Sequence, residues 1–152
     1  MKLINRTIAV KGLLLAGLFA VLSSFSVNWG GDSYQVFVNN KLVLEQHVAM
    51  KGAVKSIQLD AQSTNDQVSV YYSHCGQVGK SRNITIRDDK NKVLKELSFA
   101  DGTGKAMNFK TKDVLGVQKN ADKLNLYYAS KEIPEGKLLV SIVISKGNVG
   151  TP

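Results

Sequence analysis

Apolar and polar residues alternate with a period of two through most of the chain after Ser33, as in strands that bury one face. Tyr34, Val36 and Val38 alternate with Gln35 and Phe37. Asn39 and Asn40 follow, both tolerant of the left-handed turn conformation. Leu42 and Leu44 then alternate with Val43 and Glu45, which predicts a β-hairpin. A three-residue loop over Asn39–Lys41 puts Val36, Val38, Leu42 and Leu44 on one face. A two-residue loop mixes the faces, so the three-residue loop is expected. Further strands are expected over Val54–Leu59, Gln67–Ser73, Arg82–Asp88, Val93–Phe99, Lys123–Ala129 and Leu138–Ile144. Their inward positions include Ile57, Leu59, Val68, Val70, Tyr72, Ile84, Ile86, Leu124, Leu126 and Tyr128. Stretches 61–66, 76–80, 89–91, 101–104 and 131–136 carry turn chemistry. Residues 105–121 read two ways: Met107 and Phe109 alternate, whereas Asp113–Val117 has the composition of a helical turn.

About nine short strands with turns between them predict an all-β fold, an antiparallel β-sandwich of immunoglobulin-like outline. A small closed β-barrel is the other way to bury such strands. The disulfide and tryptophan of antibody domains are missing: the one cysteine is Cys75, and the one tryptophan, Trp29, precedes the first strand. One internal echo stands out. Gln67–Ser73 (QVSVYYS) and Lys123–Ala129 (KLNLYYA) share a pattern, each preceded by an aspartate, Asp66 or Asp122, and each followed later by a Gly-Lys pair. A worn duplication would make them equivalent hairpins, one in each half.

The first 26 residues break this pattern. Lys2, Arg6 and Lys11 form a basic start without acidic residues, Gly12–Val21 is an uncharged apolar run, and Ser24 and Ser26 supply small residues. This is the layout of a cleavable signal peptide, with cleavage expected after Ser26. The run is shorter than the roughly 20 apolar residues of a stable membrane anchor. The expected organisation is a signal peptide and its helix over 1–26, a leader over 27–33, one domain over 34–146 and a frayed tail over 147–152. The implied location is secreted or periplasmic, with no retained membrane span.

Charge alters the picture little. Without the first 26 residues, 17 Lys plus Arg stand against 12 Asp plus Glu, a dispersed net charge of +5. That suits solubility and weak attraction to anionic surfaces. A basic stripe or RNA-binding motif is missing and there are three arginines in all, so nucleic acid is not an expected partner. A single cysteine leaves no internal disulfide framework, and stability must come from an ordinary core.

Candidate chemistry is sparse. His47, His74 and Cys75 are the only imidazoles and thiol, and with Met50 or Met107 they form a soft donor set suited to copper or zinc. Neighbouring strand residues point to opposite faces, so His74 and Cys75 converge on one ion only if the chain bends at Gly76. Gly102–Lys105 (GTGK) lacks the spacing of a phosphate loop and reads as a turn. Tyr71 and Tyr127 fall on the outer faces of the two echoing strands, beside Ser69, Ser73, Asn125 and Ala129. If those strands share a sheet, they make a flat tyrosine platform suited to sugar rings. With no nucleophile–base pair or cofactor motif, the residues point first to an exported, non-catalytic module binding a protein or an envelope glycan. A small copper- or zinc-binding protein and a glycan-binding module are the other two readings.

Overall fold

The computed structural model describes residues 31–48, 53–118 and 123–145. The expected signal peptide, most of the leader, Met50 and the tail beyond Ser145 lie outside the described residues.

The fold is all-β. Strands span Ser33–Val38 (β1), Lys41–His47 (β2), Ser56–Asp60 (β3), Gln67–Ser73 (β4), Arg82–Arg87 (β5), Val93–Phe99 (β6), Met107–Lys110 (β7), Lys123–Ser130 (β8) and Ile133–Ser145 (β9), with one helical turn, Thr111–Leu115 (α1), after β7. They form two sheets: a four-stranded one ordered β2-β1-β4-β7 (sheet A) and a five-stranded one ordered β3-β9-β8-β5-β6 (sheet B). Pairing is antiparallel except between β3 and β9, which run parallel, so the expectation of a wholly antiparallel arrangement needs that correction.

The inward residues of both sheets belong to one hydrophobic cluster. Val36, Val70, Ile84, Ile86, Leu124, Leu126 and Val140 are wholly buried within it. These are the alternating apolar positions of the sequence. Aromatic rings join the sheets: Tyr72 of β4 stacks on Tyr128 of β8 with centroids 4.2 Å apart and planes within 16°. Tyr34 of β1, paired with Tyr72 across the strands, lies parallel to its ring at 6.3 Å. Large offset-stacked rings contribute both buried area and a directional term.

The first hairpin departs from expectation in an instructive way. Its loop has two residues, Asn39 and Asn40, at φ 49° and 64°, the left-handed pair that a type I′ turn requires. Val38 pairs with Lys41 and Phe37 with Leu42, but Val36 pairs with Leu44. Val43 is therefore an extra residue, a β-bulge, that returns Leu44 to the core. Turn chemistry sets the loop and burial of Leu44 sets the bulge. Leu42, expected inside, is 44% exposed.

The echo of Gln67–Ser73 in Lys123–Ala129 is not a pair of equivalent hairpins. β8 pairs with β9 in one sheet, whereas β4 and its successor β5 lie in different sheets. The ambiguous 105–121 segment holds both candidates, β7 and then α1, the helical turn falling two residues earlier than expected. α1 starts where the Asp113 carboxylate caps the Lys110 N–H at 3.0 Å and takes Lys95 Nζ at 2.7 Å. Residues 133–136, expected as loop, already belong to β9.

Candidate functional site

Three regions concentrate polar chemistry, and they differ in whether their groups are already engaged.

The first is a buried chain at one end of the core. Asp32, just before β1, accepts a hydrogen bond from Tyr72 Oη at 3.0 Å and lies 3.5 Å from His74 Nδ1. His74 Nε2 lies 2.8 Å from Tyr128 Oη and 3.5 Å from Ser130 Oγ. A carboxylate is acceptor-only, so the imidazole donates from Nδ1 to Asp32, while Nε2 pairs with Tyr128 Oη. Every member then has a partner. The order carboxylate–imidazole–hydroxyl resembles a proton relay, but Tyr128 is wholly buried and Ser130 is 5% exposed. The chain knits both sheets to the segment entering β1. Burial pushes the Tyr34, Tyr72 and Tyr128 hydroxyls above the ordinary tyrosine range. For Tyr72 the hydrogen bond to the Asp32 carboxylate adds to that rise. Gly79 closes over this chain: a Cβ there would sit 2.8 Å from Tyr128 Oη and 3.1 Å from His74 Cδ2. Beside it Arg82, 2% exposed, donates from Nε to the Ala100 carbonyl at 2.7 Å and from Nη1 to the Lys105 carbonyl at 2.8 Å, which fixes the 100–105 loop.

The second is the groove of about 410 Å³ between the edge strands β6 and β7, walled by Leu97, Phe99 and Phe109. Part of its polar rim is bonded within the protein, while the Ser98 and Asn108 side chains make no hydrogen bond among the described residues. Asp113 is shared by Lys95 and the Lys110 N–H, Lys110 Nζ donates to the Asn65 carbonyl, and Gln67 contacts Ser69. The hydrogen bond from Lys95 holds the Asp113 carboxyl below its usual range.

The third is the outer face of sheet A. Residues paired across an antiparallel sheet share a face, so the registers of β2, β1 and β4 define its rows. His47, Ser33 and Ser73 form one, Glu45, Gln35 and Tyr71 the next, and Leu42, Phe37 and Ser69 the third. Phe37 meets Tyr71 edge-on, with centroids 5.4 Å apart. Gln35 Nε2 donates to Glu45 Oε1 at 2.9 Å. The hydroxyls of Ser33 and Ser73 have no side-chain hydrogen bond among the described residues. A pocket of about 160 Å³ opens here, its walls including Ser33, Gln35, Tyr71, Ser73 and Gly104. Gly104 belongs to the loop that Arg82 holds.

The residues singled out from the sequence fall as follows. Tyr71 lies on this outer face, whereas Tyr127 lies on the outer face of sheet B. They do not share a platform, because β4 and β8 belong to different sheets. Tyr127 is capped by Arg87, whose Cζ sits 4.2 Å from the ring centroid. Among its polar neighbours Ser141 bonds Asn125 and Arg87 bonds Thr85, while Asn83 Oδ1 is buried without a partner among the described residues. His47, His74 and Cys75 are not brought together either. His47 shares the outward row of Ser33, while His74 points inward with Tyr72. Cys75 is exposed at φ 51° in the turn joined by the His74–Gln77 bridge. Met107 is in the core, and among the described residues no three His, Cys, Asp or Glu side chains cluster as a metal site. The sequence reading missed Asp32, Arg82, Ser130 and Gly79. Their roles depend on loops brought together from distant parts of the chain, and only the inward alternation of Tyr72 and Tyr128 hinted at them.

Compared with known protein families and with characterised proteins, the chain matches none.

Proposed function

We propose that this chain is an exported, immunoglobulin-like β-sandwich that serves as a non-catalytic binding module of the cell envelope or extracellular space. The basic start, the apolar run over Gly12–Val21 and the following serines support export. Strand order supports the sandwich. β4 lies between β1 and β7, and β8 lies between β5 and β9, the arrangement of strands A-B-E and C-F-G in that architecture. On this reading the Tyr72–Tyr128 stack joins the strands that carry the inter-sheet disulfide of antibody domains, which this chain, with one cysteine, cannot form. Resemblance of topology speaks to architecture, and binding must be argued from the site. The observation that carries it is the outer face of sheet A, where Tyr71 stands beside a pocket and beside hydroxyls that make no side-chain hydrogen bond among the described residues.

Expression of the full chain with its own N-terminus, followed by fractionation and mass measurement, tests the reading. The expected product lies outside the cytoplasm and begins within a few residues of Val27. Leu15→Arg, which places a charge in the apolar run, leaves uncleaved precursor inside. Full-length protein in the cytoplasm, unaffected by that substitution, would overturn export.

A further inference from the structure

We propose that the pocket beside Tyr71 on the outer face of sheet A binds one ring of a neutral saccharide. This rests on the binding-module reading and names its ligand.

Size comes first. A volume of about 160 Å³ is well below the roughly 300–1,000 Å³ of pockets that enclose drug-sized ligands, and suits a single ring. Shape agrees: a sheet face is flat, and of the three tyrosines that line the pocket Tyr34 and Tyr72 are buried in the core, whereas Tyr71 lies on the outer face and is braced edge-on by Phe37. A pyranose ring has an apolar C–H face that packs on such a ring, while its hydroxyls point outward around the rim.

Polarity narrows the class. Ser33, Ser73 and Gln35 offer hydroxyl and carboxamide groups, each able both to donate and to accept, as sugar hydroxyls require. Gln35 is held in place by Glu45, which leaves its second N–H and its carbonyl oxygen for a ligand. A purely apolar ligand would strip water from these groups without replacing it, at a cost of roughly 1–3 kcal/mol for each one left unpaired. Charge narrows it again. On this face the Glu45 carboxylate is paired with Gln35, which lines the pocket, and no lysine or arginine lines the wall. A phosphate or uronate would meet a carboxylate with no basic side chain of the wall to offset it, so a neutral sugar is favoured.

The contrast within the molecule sharpens the assignment. On sheet B the ring of Tyr127 is covered by Arg87, Thr85, Asn125 and Ser141 are bonded to the protein itself, and Asn83 Oδ1, without a partner among the described residues, is buried. Two outer faces with similar composition thus differ in availability. Arg82 takes a positioning role, because its two bonds to the Ala100 and Lys105 carbonyls hold the loop that supplies Gly104 to the pocket.

The test is calorimetric titration of the protein recovered after expression of the full chain. The probes are hexasaccharides of glucose, mannose, xylose and N-acetylglucosamine, with polygalacturonate as the acidic comparison. At least one neutral series should bind. Tyr71→Ala should weaken that binding about tenfold or more, in line with loss of one stacked ring. Tyr71→Phe keeps the ring and should stay within about threefold. Tyr127→Ala should bind as the parent does, and the melting temperature of each variant shows that it is folded. The inference is overturned if no neutral series binds the folded protein. It is equally overturned if only the polyanion binds, or if Tyr127→Ala weakens binding as much as Tyr71→Ala. An exported protein that binds none of these sugars sinks this inference alone; protein retained in the cytoplasm sinks the broader reading, whatever it binds.

Discussion

Gly79 shows how one side chain's absence supports a distant network. Its φ is unremarkable, so packing and not backbone freedom demands glycine: the added Cβ would lie 2.8 Å from Tyr128 Oη and 3.0 Å from Arg82 Cδ. Both atoms belong to side chains buried and bonded elsewhere, so neither yields cheaply. Gly79→Ala is expected to lower stability by about 1–3 kcal/mol, the usual cost of overpacking. Urea unfolding measures it, and a variant as stable as the parent would contradict the packing. Tyr128→Phe separates the ring from its hydroxyl. The stack on Tyr72 survives, but His74 Nε2 loses its 2.8 Å partner inside the core and keeps only the 3.5 Å contact with Ser130 Oγ. Loss of a buried hydrogen bond whose partner keeps a second, longer contact costs about 0.5–1.5 kcal/mol. Unfolding of this variant with no change in midpoint would mean that the hydroxyl contributes nothing to stability. Neither position announces itself in the sequence. Gly79 reads there as a turn glycine, and Tyr128 as one more inward residue of an alternating strand.

The first hairpin is where competing local rules are resolved at the scale of an element. Two asparagines in succession favour a type I′ turn, while the apolar positions on either side demand a different register. The structure satisfies both by inserting Val43 as a bulge. Removing that residue should therefore leave both the turn and the inward positions intact. Deletion of Val43 is expected to fold normally, with a melting temperature within about 4 °C of the parent, a change of about 1 kcal/mol or less. Deletion of Lys41 instead shortens the arm between turn and bulge, and should lower the melting temperature more than deletion of Val43 does. The reverse order would show that the bulge itself is needed. The other strands were legible because each satisfies a single rule. Ile84 and Ile86, or Leu124 and Leu126, alternate without interruption and are buried as alternation requires. The 105–121 stretch was legible only as a mixture, because four strand residues there lead directly into one helical turn.

For the molecule as a whole, the three buried tyrosines make a prediction about pH. Burial raises the hydroxyls of Tyr34, Tyr72 and Tyr128 above the value of about 10 that tyrosine has in an unfolded chain. A group whose folded pKa is raised contributes fully below the unfolded pKa, and its contribution is lost as pH climbs beyond it. The urea midpoint should thus show no loss from these groups up to about pH 9 and fall steeply between about pH 10 and 11.5. A flat midpoint across that upper range would refute it. Asp113 works with the opposite sign. The Lys95 hydrogen bond lowers its pKa, so its stabilisation is present above the unfolded value of about 4 and disappears as pH falls through the folded one. The pair is partly exposed, so its contribution stays below about 1 kcal/mol, and Lys95→Met should shift the midpoint only slightly at neutral pH.

Period-two alternation carried most of the architecture because strand side chains leave the backbone on alternate sides whatever the partner strand is. It was enough to predict nine strands, the inward set around Val70, Leu126 and Ile84, and an all-β molecule stabilised by an ordinary core. Which strands share a sheet is not a local property, since strand pairing joins residues tens of positions apart. For that reason only the tertiary structure could divide Tyr71 from Tyr127, turn His74 inward and His47 outward, and assemble Asp32, His74, Tyr128 and Ser130 into one chain. The same holds for availability. Arg87 covers Tyr127 and leaves Tyr71 alone because of where β5 lies beside β8, and no reading of composition along the chain contains that adjacency.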